Sequence, residues 1–128
     1  MDFKEYQYLC KTTANFNGSH HEIMSNMCMG LAGEAGEAVD YMKKCLYQGK
    51  DYSSIIMRRE LGDLLWYFVI LADTLGITLD SIMEENIEKL KKRYPQGMFT
   101  IEDARARKDE DWNNDYESTK LWKRPLFL

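Results

Sequence analysis

No proline occurs before Pro95, and the segment that precedes it carries apolar residues at the spacing of an α-helix. Proline is the residue that most strongly interrupts a helix, so this body of the chain is free to be helical. Almost nothing in it alternates like a strand. The clearest helical repeat comprises Met24, Met27, Cys28, Leu31, Ala35, Ala38, Val39, Met42 and Leu46. The sequence therefore predicts an all-α fold.

Turn-forming and capping residues divide this body into four predicted helices, which cover residues 3–15, 22–47, 53–75 and 80–94. Gly49 and Gly76 are the predicted terminators of the second and third helices, because glycine accepts the backbone conformation that follows a helix. Asp80 is a good N-cap for the fourth helix, and Pro95 stops it. The charged stretch 101–111 predicts a further short helix.

The third predicted helix is apolar on every side over residues 64–72, whose sequence is LLWYFVILA. A helix of that kind is normally surrounded by others, and a chain of 128 residues can hardly surround one alone. We therefore expect a second subunit to cover part of it, in a homodimer or a homotetramer. The run is far shorter than the roughly 20 residues that cross a bilayer, so we expect no membrane partner.

Net charge and cysteine content indicate which partners and which cellular compartment to expect. The net charge of −4 gives no reason to expect a nucleic-acid polymer as a partner. The three cysteines form no CxxC pair, which favours a reducing compartment, and the first residues have no signal-like apolar core. We expect a cytoplasmic protein.

We assign residues 1–100 to one helical domain and residues 101–128 to a C-terminal arm of the same domain. The arm carries Trp112, Tyr116 and Trp122 and has an apolar end. Two alternatives remain open: the arm lies on the body or on a partner subunit, or it is a floppy terminus.

Two acidic pairs stand beside the apolar stripes of the second and third helices. Glu34 and Glu37 are three residues apart, as are Glu60 and Asp63, so each pair shares one helix face. If the two helices pack antiparallel, the four carboxylates converge and repel each other. Divalent cations would relieve that repulsion, and ligands that are all oxygen suit Mg²⁺ or Mn²⁺.

Two other interpretations of these acids compete with a magnesium site. They could be ordinary solvated glutamates on a helix surface. A di-iron bundle would need Glu-x-x-His on paired helices, whereas His20 and His21 fall in the predicted loop before the second helix.

The stretch GLAGEAGEA, residues 30–38, places three glycines inside the second predicted helix. Each costs roughly 1 kcal/mol relative to alanine in a helix interior. Gly30, Gly33 and Gly36 remove side-chain bulk around the acidic face, so we expect another helix or a ligand to approach closely there.

The fourth predicted helix presents Asn86, Lys89 and Arg93 on one stripe. Three donors in a row suit an oligophosphate tail. The alternative is a solvated, lysine-rich helix end that the helix dipole favours. No GxxxxGK[ST] loop and no GxGxxG after a strand occurs.

Three blocks of this sequence resemble a known family. GLAGEAGEAVDYMKK, RRELGDLLWY and NIEKLKKRYPQGMF occur in the order and spacing of the MazG-like branch of the all-α nucleoside triphosphate pyrophosphohydrolases, and the resemblance covers about residues 24–100. It implies a four-helix MazG-like bundle.

The family's acidic motif falls on Glu34, Glu37, Glu60 and Asp63, which the resemblance implies bind Mg²⁺. Its basic block implies that Asn86, Lys89 and Arg93 contact the phosphates or the sugar, and Tyr67 is similar to an aromatic residue near the nucleotide. Many members carry one more glutamate where this chain has Gly33. If that glutamate activates water in those members, another carboxylate must act as the catalytic base here: Glu34, Glu37 or Glu60, of which we favour Glu37.

The resemblance implies Mg²⁺-dependent hydrolysis of (deoxy)nucleoside triphosphates to monophosphate and pyrophosphate, in nucleotide-pool house-cleaning. Two alternatives are a non-catalytic module that binds metal and nucleotide for regulation, and a purely structural helical oligomer. Base specificity is left open, with candidates for the base pocket at Phe16, His20, His21 and Trp112.

Overall fold

The computed structural model describes residues 1–109, and these form five α-helices without a strand. The helices are α1 (Phe3–Thr13), α2 (His20–Tyr47), α3 (Ser54–Thr74), α4 (Leu79–Arg93) and α5 (Ile101–Ala106). The predicted all-α fold is confirmed. Most of the predicted arm, including Trp112, Tyr116 and Trp122, lies outside the described residues.

Helix α2 begins earlier than its apolar repeat indicated, because a capping box fixes its first turn. The Ser19 hydroxyl accepts the backbone N–H of Glu22 at 3.3 Å, and the Glu22 carboxylate accepts the backbone N–H of Ser19 at 2.8 Å. His20 and His21 therefore lie in the first turn of α2, and their placement in a loop was wrong.

The other helix boundaries agree with the local signals, with one correction. Gly49 and Gly76 follow α2 and α3 with φ of 71° and 69°, the left-handed conformation that glycine accepts without strain. Helix α4 already includes Leu79, so Asp80 lies in its first turn and does not cap it. Helix α5 occupies the first half of the charged stretch 101–111.

The structure divides into two compact units, Met1–Leu79 and Asp80–Leu128, each described separately below. In the first unit, α2 and α3 pack against each other as an antiparallel hairpin. The Tyr41 hydroxyl accepts the backbone N–H of Ser53 at 2.6 Å at the closed end, and Gly30 meets the Tyr67 ring farther along. Met27, Tyr41, Val69, Ile70 and Ala72 are buried along this hairpin.

Helix α1 is attached to α3 by hydrogen bonds from its middle and its last turn. Gln7, in the middle of α1, donates to Asp73 at 3.0 Å, and Lys11, in its last turn, donates to the same carboxylate oxygen at 2.9 Å. At its end, the Trp66 indole N–H donates to the Thr13 hydroxyl at 2.9 Å. Cys10, in the second half of α1, is buried.

In the second unit, a short connection follows α4 and leads to α5, whose first turn is capped by Thr100. The rings of Tyr94 and Phe99 lie 5.8 Å apart between their centroids. The Thr100 hydroxyl accepts the backbone N–H of Asp103 at 3.0 Å and donates to its carboxylate at 2.8 Å. This pair caps α5, and Asp103 is buried.

Only some of the apolar side chains of α3 are buried within the described residues. Val69 and Ile70 are fully buried, whereas Ile55 and Leu61 on the same helix are 59% and 53% exposed. The expected homodimer or homotetramer stays a prediction. Among residues 1–109, no single helix is both long and apolar enough to cross a bilayer, and α3 and α4 reach that standard only when counted together.

Gly30 is the glycine that the hairpin requires. A Cβ atom built on Gly30 would lie 2.1 Å from Cε1 of Tyr67, far inside van der Waals contact. The Tyr67 ring also meets Trp66 edge-on, with centroids 4.9 Å apart, so it has little freedom to move. Open space surrounds Gly33 and Gly36 in the described structure. The expected close approach of a helix is therefore found at Gly30 alone.

We predict that Gly30→Ala destabilises the protein by about 1 kcal/mol. Overpacking against Tyr67 costs typically 1–3 kcal/mol and outweighs the roughly 1 kcal/mol gained in helix propensity. Urea unfolding measures the difference. The matched control is Gly36→Ala, which gains the same propensity without the clash and should be neutral or stabilising. Equal stabilisation by both variants would contradict the contact.

Candidate functional site

Three glutamates predicted from the sequence meet on one side of the α2–α3 hairpin. Glu34 and Glu37 lie one turn apart on α2, and Glu60 faces them from α3. One carboxylate oxygen from each lies within 4.8 Å of the others. The antiparallel packing of the two helices thus brings together three of the four expected carboxylates.

Asp63, the fourth predicted acid, lies outside this three-residue group but close enough to act on it. Burial, followed by the charges of Glu37, Asp63 and Glu60, raises the pKa of Glu34. The negative charges of the other three acids therefore all act on the pKa of Glu34.

The charge of Asp63 also reaches α1. Burial is the largest cause that raises the pKa of Tyr6 to about 12, followed by Cys10 and then by Asp63. Asp63 thus acts electrostatically on Tyr6 of α1, which the sequence did not indicate.

None of the ion pairs within Met1–Leu79 includes a carboxylate of the acidic group. The ion pairs there join other residues, such as Asp40 with Lys43 and Lys44, and Arg58 and Arg59 are exposed. Glu34 and Glu60 are half-buried and Glu37 is exposed. The site is therefore an uncompensated cluster of negative charge that solvent can reach.

The donor set fits a hard divalent cation. Three carboxylates supply only oxygen ligands, and their spacing allows one ion to be reached from both helices. A di-iron site would need histidine ligands, and the group contains none. His20 and His21 lie in the first turn of α2. Three of the four predicted acids form this group, and the identity of any metal stays a prediction.

The predicted phosphate-binding residues all lie on α4, and one of them has a partner. Asn86 is exposed and Lys89 is half-buried. Arg93 donates from Nε to one oxygen of Asp109 at 2.6 Å and from Nη2 to the other at 2.5 Å. This pairing is the largest cause that lowers the pKa of Asp109 to about 2. No local spacing signal in the sequence pairs residues sixteen positions apart.

Tyr67, expected near the nucleotide, has a packing role in the structure. Its ring fills the space above Gly30 and contacts Trp66. Of the candidates for a base pocket, Phe16, His20 and His21 are exposed, and Trp112 lies outside the described residues.

Comparison with known proteins gives a family-level match. The model of the MazG nucleotide pyrophosphohydrolase domain matches residues 22–98, which include all eight predicted site residues. The chain is also 34% identical over 105 residues to the Gene 37 protein of Mycobacterium phage L5, covering 73% of this chain and 90% of that protein. No solved structure matches the chain.

We predict that Glu34→Gln stabilises the metal-free protein at neutral pH, by about 0.5 kcal/mol, the size of a like-charge repulsion on a helix. A raised pKa in the folded state means that ionisation of Glu34 opposes folding. The wild type should therefore lose stability as the pH rises from the ordinary glutamate value through the raised value. Below that window both proteins carry a neutral side chain, and the difference should vanish.

The measurement is urea unfolding in a chelator at pH 4 and pH 7. The control is Glu88→Gln, which removes a carboxylate that Lys91 holds at 2.6 Å and should not stabilise the protein. A Glu34→Gln variant less stable than the wild type at pH 7 would show that the carboxylate has a favourable partner.

Proposed function

The chain belongs to the MazG nucleotide pyrophosphohydrolase domain family, and from that premise we propose that it hydrolyses (deoxy)nucleoside triphosphates to monophosphate and pyrophosphate with the help of Mg²⁺. The convergence of Glu34, Glu37 and Glu60 is the observation that supports this proposal most directly. We propose nucleotide-pool house-cleaning in the cytoplasm as the role.

In this proposal Glu34, Glu37, Glu60 and Asp63 hold Mg²⁺, for which Mn²⁺ can substitute. The bound ion would neutralise phosphate oxygens and acidify water near them. The uncompensated charge of the acidic group supports this assignment, because a divalent cation removes the repulsion that raises the pKa of Glu34.

Glu37 is the proposed general base, with Glu34 as the second candidate. Glu37 is exposed, so a water molecule and a substrate can reach it, whereas Glu34 is half-buried. Its task is to take a proton from the water that attacks the α-phosphorus.

The residues of α4 have a separate task, which is to receive the phosphate tail. Asn86 offers an amide donor, and Lys89 and Arg93 offer cationic donors that match the charge of departing pyrophosphate. Tyr67 is proposed to lie near the nucleotide.

We predict pyrophosphate and a nucleoside monophosphate as products when Mg²⁺ and a panel of normal and damaged nucleoside triphosphates are supplied. In ¹⁸O-labelled water the label should enter the monophosphate, because water attacks the α-phosphorus. Mass spectrometry of both products reads the position of the label.

Label in orthophosphate, with a nucleoside diphosphate as the other product, would mean attack at the γ-phosphorus and would refute the proposal. Binding of Mg²⁺ and nucleotide without any product would favour the non-catalytic regulatory module. The absence of any binding would favour the structural oligomer.

We predict that Glu37→Gln lowers kcat at least about 100-fold and leaves the fold intact, because it removes a metal-binding charge and the proposed base. The matched control on the same helix is Asp40→Asn, whose carboxylate is already held by Lys43 at 2.8 Å and should not affect turnover. Glu60→Gln should weaken the heat signal of Mg²⁺ binding in calorimetry. Normal turnover by Glu37→Gln would exclude it as base and as essential ligand.

A further inference from the structure

The contact between Arg93 and Asp109 joins the last residue of α4 to the segment that follows α5. Both oxygens of Asp109 accept hydrogen bonds from one guanidinium, through Nε and Nη2. A two-point contact of this kind fixes the plane of the guanidinium as well as its position. Arg93 therefore has one orientation in this structure.

The two partners differ in how far they are buried. The Asp109 side chain is 1% exposed, whereas the Arg93 side chain is 20% exposed. The carboxylate is thus almost fully buried, and the part of the pair that solvent reaches belongs to arginine. A guanidinium carries five N–H donors, of which Asp109 uses two. The donors of Nη1 and the second hydrogen of Nη2 are not used by Asp109.

The residues between α5 and Asp109 are bonded to α5. Arg107 has a φ of 47° and donates its backbone N–H to the carbonyl of Asp103 at 3.2 Å, which ends the helix. The Lys108 ammonium lies 3.4 Å from the buried carboxylate of Asp103. The position of Asp109 therefore follows from the end of α5.

We propose that Asp109 is a positioning residue, which holds the guanidinium of Arg93 so that its remaining donors receive the phosphate tail of the substrate. This inference rests on the proposed function, in which Arg93 binds phosphate. An unrestrained arginine would have to lose side-chain freedom on binding, and Asp109 removes that cost in advance. Arginine suits this task because its planar fork can serve one acceptor on each edge, which a lysine cannot do.

Competition is the opposite possibility, because a carboxylate can also occupy a donor that phosphate needs. The geometry favours positioning, since Asp109 contacts only the Nε and Nη2 edge, and the neighbouring Tyr94 is the other side chain that acts on the guanidinium. The two possibilities predict opposite signs. Removing Asp109 weakens substrate binding if it positions Arg93, and strengthens binding if it competes with phosphate.

The experiment is a double-mutant cycle of Asp109→Asn and Arg93→Ala, with KM for the best substrate and calorimetric binding of inorganic pyrophosphate as the two readouts. We expect Asp109→Asn to raise KM and the pyrophosphate Kd about tenfold, as for the loss of a hydrogen bond to a charged group. The double variant should match Arg93→Ala alone, because Asp109 acts only through Arg93. Asp109→Glu should restore part of the affinity.

Glu88→Gln is the control, because it removes a carboxylate from an exposed ion pair on the same helix and should leave both readouts unchanged. Circular dichroism and melting temperature verify that each variant folds. If Asp109→Asn proves unfolded, Arg93→Lys is compared with the wild type in the same two readouts, because it keeps the charge and loses the two-point contact with Asp109; unchanged values overturn the proposal.

Additive effects in the cycle, unchanged affinity in Asp109→Asn, or tighter binding by that variant would each overturn the positioning role. Pyrophosphate binding without turnover by the wild type would refute the proposed function and still test Asp109, since the binding readout needs no catalysis. A wild type that does not bind pyrophosphate overturns the positioning role directly.

Discussion

Apolar packing between α2 and α3 holds carboxylates together that would otherwise separate. Val69 and Ile70 are fully buried and Met27 is 2% exposed, and full burial of one such side chain contributes about 1.5–3 kcal/mol. A like-charge pair on a helix surface costs only about 0.2–0.5 kcal/mol. Burial therefore outweighs repulsion by a wide margin, and the fold can retain an acidic group that no ion pair within Met1–Leu79 relieves.

The register of the hairpin decides which carboxylates meet. Tyr41 bonds to Ser53 beside the connection, and the Tyr67 ring lies on Gly30 farther along, so the two contacts bracket the glutamates between them. A slip of one helical turn would displace Glu60 by about 5 Å along the axis and would move Gly30 away from the Tyr67 ring. A contact that looks like ordinary packing thus sets the geometry of the acidic group.

The sequence was sufficient for the features that depend on local rules. The helix boundaries after Gly49 and Gly76 followed from glycine's backbone freedom, and the acidic group followed from i, i+3 spacing on two neighbouring helices. The start of α2 was predicted two residues late, because the apolar repeat was weighed above the capping signal of Ser19 and Glu22. Three glycines looked equivalent in the sequence, since only the packed structure shows that Tyr67 crosses one of them.

The sequence did not indicate the role of Asp109, for a different reason. Its ion pair with Arg93 changes the expected net charge of the basic residues of α4. The stretch after α5 reads as solvated charge, and nothing local reveals that one carboxylate closes on an arginine sixteen residues earlier. Once the pair is counted as neutral, the stripe of Asn86, Lys89 and Arg93 has less net positive charge than its composition suggests. The phosphate binding that we propose for it would then depend less on long-range attraction, which salt screens, than on the direction of the donors that remain. A lysine at position 93 would keep the charge and lose that direction, so charge alone does not describe what this position contributes.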